Sequence, residues 1–154
     1  MIVQVTTPGE PLEQVRALFL EYASSLGFSL CFQGFDEELR SLPGMYAPPR
    51  GRLLLDIRDG RPAGCVGVHE WDEGTAEMKR LYVRPEFRGR GLARALTLAA
   101  LEEAHSIGYR TVRLDTIAAT MQPAIALYRE LGFGEIPPYR ENPIPGALYL
   151  ELTL

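Results

Sequence analysis

The sequence predicts an α/β fold: a central mixed sheet, mostly antiparallel, flanked by helices. Three observations lead there. Short segments with two-residue apolar alternation recur along the chain. Longer segments with apolar residues three and four apart lie between them. An Arg- and Gly-rich loop joins one predicted strand to the helix after it.

Residues 2–5 read as a short strand. Thr7, Pro8, Gly9 and Glu10 supply turn and helix-start signals. Leu12, Val15, Leu18, Phe19, Tyr22 and Leu26 then recur at helical spacing, and Gly27 can end that helix. Phe28, Leu30, Phe32 and Phe35 form an aromatic-rich connector to a second short helix over 36–42, before Pro43 and Gly44. Residues 53–57, Asp59–Gly60 and residues 62–68 predict a hairpin, since Asp-Gly accepts the positive φ of a two-residue turn. Asp72, Glu73 and Gly74 turn the chain into a strand over 75–83. Leu92, Leu96, Ala99 and Ala100 share one face of a helix over 92–105, with end signals at His105 and Gly108. Residues 111–116 alternate as a strand. Pro123 suits the first turn of a further helix, on which Ala124, Leu127, Tyr128 and Leu131 share a face before Gly132. Leu148, Leu150, Leu152 and Leu154 alternate in a last strand. The predicted order is β-αα-βββ-α-β-α-ββ, as one domain over 1–154. Strand 75–83, helix 92–105 and strand 111–116 form a crossover unit with parallel strands, right-handed by the general rule. Ligands of such units gather at the carboxyl ends of the strands.

Composition narrows the function classes. The chain has 154 residues, 46% of them hydrophobic and 23% charged, as in an ordinary globular protein. A net charge of −4 argues against general nucleic-acid binding. The N-terminus has neither a basic segment nor a long apolar one, and the run from Leu96 to Leu101 is too short to cross a membrane. Two cysteines, Cys31 and Cys65, make no disulfide framework; Cys65, in an apolar run, is expected as a buried thiol, and a cytoplasmic location is the matching expectation. Two isolated histidines, His69 and His105, make no metal site. Between Lys79 and Arg94, six cations stand against one acid, which suits an anionic small molecule, or alternatively a solvated basic face.

That patch contains Arg88, Gly89, Arg90, Gly91, Leu92 and Ala93, at the junction of strand and helix. Glycines let the backbone approach a ligand. The first N–H groups of a helix have no internal partner, and the macrodipole adds positive potential there. Together they make an anion site to which Arg88 and Arg90 add donors, and a diphosphate satisfies all of these groups. No Gly-Lys-Ser/Thr string occurs, and Arg94 stands where the dinucleotide fingerprint needs its third glycine.

Arg88, Gly91 and Ala93 do match Arg/Gln-x-x-Gly-x-Gly/Ala. With Lys79, Arg80, Leu81, Tyr82, Val83, Arg84 and Pro85 before that motif and the stretch from Ala124 to Phe133 after it, the chain resembles the GNAT superfamily of acyl-CoA-dependent N-acetyltransferases. The resemblance extends over nearly the whole chain in element order and is weakest before residue 50. It implies acetyl-CoA as co-substrate and no metal. The backbones of Leu81, Tyr82 and Val83 would then meet the pantetheine arm, and the backbones of Arg88, Gly89, Arg90, Gly91, Leu92 and Ala93 the diphosphate. Thr116, closing the next strand, is placed to line the same cleft. Where many relatives have an Asn just after that strand, this chain has none, and Thr120 or Gln122 are the candidate substitutes.

Acetyl transfer to an amine requires a neutral amine, a stabilised oxyanion and a proton for the leaving thiolate. Tyr128 is the expected acid: its phenol, with a reference pKa of about 10, lies only ~1.5 units above a thiol. Spacing alone reads Tyr128 equally as a core aromatic. Glu77 is the expected base. Two-residue alternation puts Glu77, Lys79, Leu81 and Val83 on one face, and an acid at that place serves as base in several members of the superfamily; an ion pair with Lys79 or a nearby Arg is the other reading. Phe28, Phe32, Phe35, Tyr46, His69, Tyr139, Arg140 and Asn142 are candidates for the acceptor side, the last three from a proline-stiffened segment. The acceptor itself, a small amine or a peptide amine, stays open, as does monomer against homodimer. A non-catalytic acyl-CoA sensor is the competing function.

Overall fold

The computed structural model describes residues 1–27, 29–30, 34–118 and 121–154. Among these, seven strands form one sheet: β1 (Ile2–Gln4), β2 (Arg52–Arg58), β3 (Arg61–Asp72), β4 (Thr75–Val83), β5 (Thr111–Ile117), β6 (Gly134–Glu135) and β7 (Ala147–Thr153). Their spatial order is β1-β2-β3-β4-β5-β7-β6. Every neighbouring pair runs antiparallel except β4 and β5, which are parallel. Helix α1 spans Glu10–Ser25, α2 Phe35–Ser41, α3 Leu92–Ile107 and α4 Gln122–Glu130. The element order is the predicted one. Asp59 (φ 52°) and Gly60 (φ 72°) make the hairpin turn of β2 and β3.

Alternation along the strands divides the core into two layers. Leu54, Val66, Val68, Ala76 and Met78 pack with Leu92, Leu96, Ala100 and Ala104 of α3 and with Tyr128 of α4. Leu53, Leu55, Cys65 and Tyr82 pack with Leu12, Val15, Leu18 and Phe19 of α1 on the other side. Tyr46, in a 3₁₀ turn at Gly44–Tyr46, completes the α1 layer. Its ring lies so close to Gly67 that a Cβ there would sit 2.5 Å from a ring carbon, which requires glycine on this strand.

One irregularity corrects the predicted alternation of β4. Cys65 pairs with Tyr82 and Gly67 with Lys79, so two residues of β4, Arg80 and Leu81, oppose one of β3. Arg80 carries the bulge with φ 63°, rare for a side-chain-bearing residue. The extra residue reverses the facing of the rest of the strand. Glu77, Lys79 and Tyr82 share the α1 side, whereas Leu81 and Val83 pack in the α3 layer.

The parallel pair opens at the same level. Its register runs Thr75↔Thr111, Ala76↔Val112 and Glu77↔Arg113 and then ends, although β4 continues to Val83 and β5 to Ile117. The two carboxyl-terminal halves diverge, and the sheet is split there.

Candidate active site

A cavity of about 470 Å³ fills the split and is lined from both layers. Lys79, Arg80, Leu81, Tyr82 and Val83 form its β4 wall, and Leu114, Asp115, Thr116 and Ile117 its β5 wall. Arg88, Gly89, Gly91, Leu92 and Ala93 close one end, and Met121, Leu127, Tyr128 and Asn142 also reach it.

The loop end is built for an anion. Gly89 (φ 78°) and Gly91 (φ 77°) take left-handed backbone, with open space where a Cβ would project. Gly91 precedes the first residue of α3, so the N–H groups of Leu92 and Ala93 begin the helix without internal partners. The N–H groups of Gly89, Arg90 and Gly91 take no part in the loop's backbone hydrogen bonds. A diphosphate of coenzyme A fits these free donors. Two details differ from the expectation. The amide of Arg88 donates to the Pro85 carbonyl at 3.2 Å, turned into the protein, while its Nε donates to the Val83 carbonyl at 3.0 Å. Arg90 does not line the cavity; its guanidinium lies over the Phe87 ring, 5.4 Å from the centroid, and 3.9 Å from Asp59.

Tyr128 stands on α4 against Phe133, with ring centroids 5.5 Å apart. Its ring belongs to the core and its edge lines the cavity, so both readings of this residue hold. The hydroxyl enters none of the hydrogen bonds among the described residues, and burial raises its pKa. Thr116 lies across the cleft and donates to the Met121 sulfur at 3.1 Å. Gln122 does not line the cavity, and Thr120 lies outside the described residues. Met121 and Asn142 occupy the wall instead.

Glu77 is placed differently from the expectation of a base. It is fully buried, does not line the cavity and is held by three neighbours. His69 Nε2 lies 2.7 Å from its carboxylate, the Tyr139 hydroxyl donates at 2.7 Å, and Arg140 donates to both oxygens at 2.6 Å. Burial would raise its pKa, but the His69 hydrogen bond and the charges of Lys79 and Arg140 outweigh burial and hold it at about 2. A carboxylate so placed is a poor proton acceptor; it anchors a wall. Trp71 and Tyr149 pack edge-on against Tyr139, at 4.9 and 5.3 Å, and extend that wall. The structure thus brings the acceptor candidates His69, Tyr139 and Arg140 together around Glu77.

The remaining candidates separate. Tyr46 is a core residue, fully buried, whose hydroxyl donates to Glu38 at 2.9 Å. Phe35 is buried in the α1 layer beneath the Arg80 guanidinium. Asn142 lines the cavity and donates to Asp115 at 3.2 Å. Phe28, Phe32 and Cys31 lie outside the described residues. Cys65 is a buried thiol, as expected.

Sequence reasoning missed two features. The bulge at Arg80 turns that side chain beneath the sheet, where it donates to both oxygens of Glu38 at 2.9 and 2.8 Å; only structure shows the pairing, since the residues are 42 apart in sequence. Lys79 is the other. It is 8% exposed, lines the cavity, and has no hydrogen-bond or ion-pair partner among the described residues. Its place in a cationic string hid it.

Comparisons with known proteins agree with this geometry. Residues 13–133 match the family described as the acetyltransferase (GNAT) family. An uncharacterized N-acetyltransferase of Schizosaccharomyces pombe is 40% identical over 148 residues, covering 94% of this chain and 90% of that protein. An acetyltransferase from Streptococcus agalactiae superposes with a TM-score of 0.81 at 17% identity, over 100% of this chain and 98% of its own. A GNAT family acetyltransferase from Elizabethkingia anophelis, solved with acetyl-CoA bound, gives a TM-score of 0.69 at 21% identity, over 100% and 97%. These last two show the shared fold. A motif-bearing loop beneath a split parallel pair, a family match over most of the chain and a full-length relative converge: the chain belongs to the acetyltransferase (GNAT) family and is an acyl-CoA-dependent N-acetyltransferase.

Proposed function

We propose that this protein moves an acetyl group from acetyl-CoA directly to a primary amine, with Tyr128 protonating the leaving thiolate. The observation that carries this reading is the cavity itself: one continuous space joins the free amides at Gly89–Ala93 to the unengaged Tyr128 hydroxyl. Acetyl-CoA supplies the activated thioester. Gly89, Gly91, Leu92 and Ala93 hold its diphosphate, and the open edge of β4 beside Leu81 and Tyr82 receives the pantetheine arm. The amine nitrogen attacks the thioester carbon, a C–N bond forms and the C–S bond breaks. The nitrogen loses its proton to solvent, the thiolate takes one from Tyr128, and solvent restores the phenol. A phenol whose pKa burial raises stays protonated until the thiolate develops, and then donates.

Glu77, in this reading, keeps His69, Tyr139 and Arg140 in place and does not take the amine's proton. The test is CoA release over a panel of amines, on the unmodified protein and on Tyr128→Phe. The variant should lose about 10²–10⁴-fold in kcat while binding acetyl-CoA as before. Unchanged kcat would remove Tyr128 as the acid; acetyl-CoA binding without release on any amine would leave the protein a sensor.

A further inference from the structure

We infer that the acceptor is an amino acid, whose carboxylate meets Lys79 and whose ammonium enters against Asp115 before it is deprotonated; this rests on the transfer reading above and names its substrate class. The register of β4 and β5 carries the inference. The ladder ends at Glu77↔Arg113, and Lys79 and Asp115 come two residues later on each strand. With a two-residue period they occupy the same face as that last pair, the face of Glu77 and Tyr139. Had the strands stayed paired, Lys79 and Asp115 would sit opposite one another as an ion pair. The split holds them apart, no ion pair joins them, and both line the cavity. A slot with a cation on one wall and a carboxylate on the other is complementary to a zwitterion.

The charges around Lys79 point the same way. Arg80 is taken by Glu38, and Arg140 by Glu77. Three buried cations therefore face two carboxylates, and each carboxylate is already engaged. Arg140 Nε, also buried, has no acceptor among the described residues. Donors are in surplus at this wall, and an ammonium 8% exposed lacks a counter-ion, which is costly unless a ligand supplies one. A carboxylate brings acceptor oxygens and one negative charge. On the opposite wall, Asp115 accepts from Asn142 with one oxygen, which leaves the other for the acceptor's ammonium.

The experiment compares each proteinogenic amino acid with its own α-carboxamide as acceptor, by CoA release, on the protein and on Lys79→Gln. At least one acid should exceed its amide by about 10- to 100-fold in kcat/KM, the span of a charge-assisted hydrogen bond. Lys79→Gln should erase that ratio through KM. Equal turnover of acid and amide overturns the inference. So does an equal loss on both in Lys79→Gln, which would make Lys79 a base or a structural residue. Binding provides a readout independent of turnover: amino acids titrated into the CoA-bound protein, followed by the fluorescence of Trp71, the only tryptophan, which packs on Tyr139 and Arg140. Failure of every amine to release CoA defeats the transferase reading. An absence of acid-over-amide preference in the titration defeats this inference alone.

Discussion

The two ends of the cavity are built on opposite plans. At the loop end, Gly89 to Ala93 offer backbone N–H groups on a surface without side chains, and the cations nearby are turned to Val83, Phe87 and Asp59. At the β4 end, backbone plays little part: Glu77, His69, Tyr139, Arg140, Arg80 and Glu38 bond to one another through buried side chains. The difference reflects what each end must hold. A diphosphate is common to every acetyl-CoA and can be met by main chain, which few substitutions disturb. An acceptor must be told from other amines, and that takes side chains fixed by their own hydrogen bonds.

Breaking the side-chain end at its most buried pair should produce the largest effect. Glu38→Ala strands the Arg80 guanidinium and the Tyr46 hydroxyl, and should lower stability by about 3–5 kcal/mol, read from urea denaturation. A loss below about 1 kcal/mol would mean that water replaces the carboxylate, and the two ends would differ less than their geometry says. At the main-chain end, Gly91→Glu tests the opposite plan. It forces a side chain into left-handed backbone, at about 1–2 kcal/mol, and sets a carboxylate against the diphosphate. Acetyl-CoA affinity should fall roughly 100-fold by calorimetry, since each 1.4 kcal/mol is tenfold. Near-normal affinity would place the diphosphate elsewhere.

The mildest change sharpens the contrast, because it should stabilise. Burial, with Arg80 and Arg140 opposing Glu77 and Glu38, pulls the Lys79 pKa down to about 8 from 10.5. Below pH 8 the folded protein therefore carries a charge that it would rather lose. That cost shrinks as the pH rises from 8 toward 10.5, where the unfolded chain also gives up its proton. Lys79→Met should accordingly raise stability at pH 7 by on the order of 1–3 kcal/mol, and by less at pH 10, while acceptor turnover falls. Equal denaturation midpoints at both pH values would show that Lys79 is well solvated.

The main-chain end is legible from sequence and the side-chain end is not, for physical reasons. Gly89 and Gly91 are local signals: a positive φ at a helix start constrains residue type where it occurs. Tyr128 and Thr116 are legible because neighbouring residues fix their helix and strand. The bulge at Arg80 leaves no such mark, since Lys79 to Val83 reads as an unbroken strand, and the expected facing of Leu81 and Val83 fails with it. Tyr46 reads as a loop aromatic because nothing local reveals Gly67 as its seat. Glu77 stands out in the sequence as a special residue but with a base's role, because its partners come from β3 and from the segment before β7, eight and more than sixty residues away.

The bulge has a lasting consequence for how this chain can vary. By turning Arg80 under the sheet onto Glu38, it fastens α2 to the very stretch of β4 that borders the cavity. Neither position is free to drift alone, since a lone change leaves a buried charge behind, whereas a matched apolar pair leaves none. Descendants that retune the helix must rewrite the strand in the same step, so the two segments are inherited as one unit.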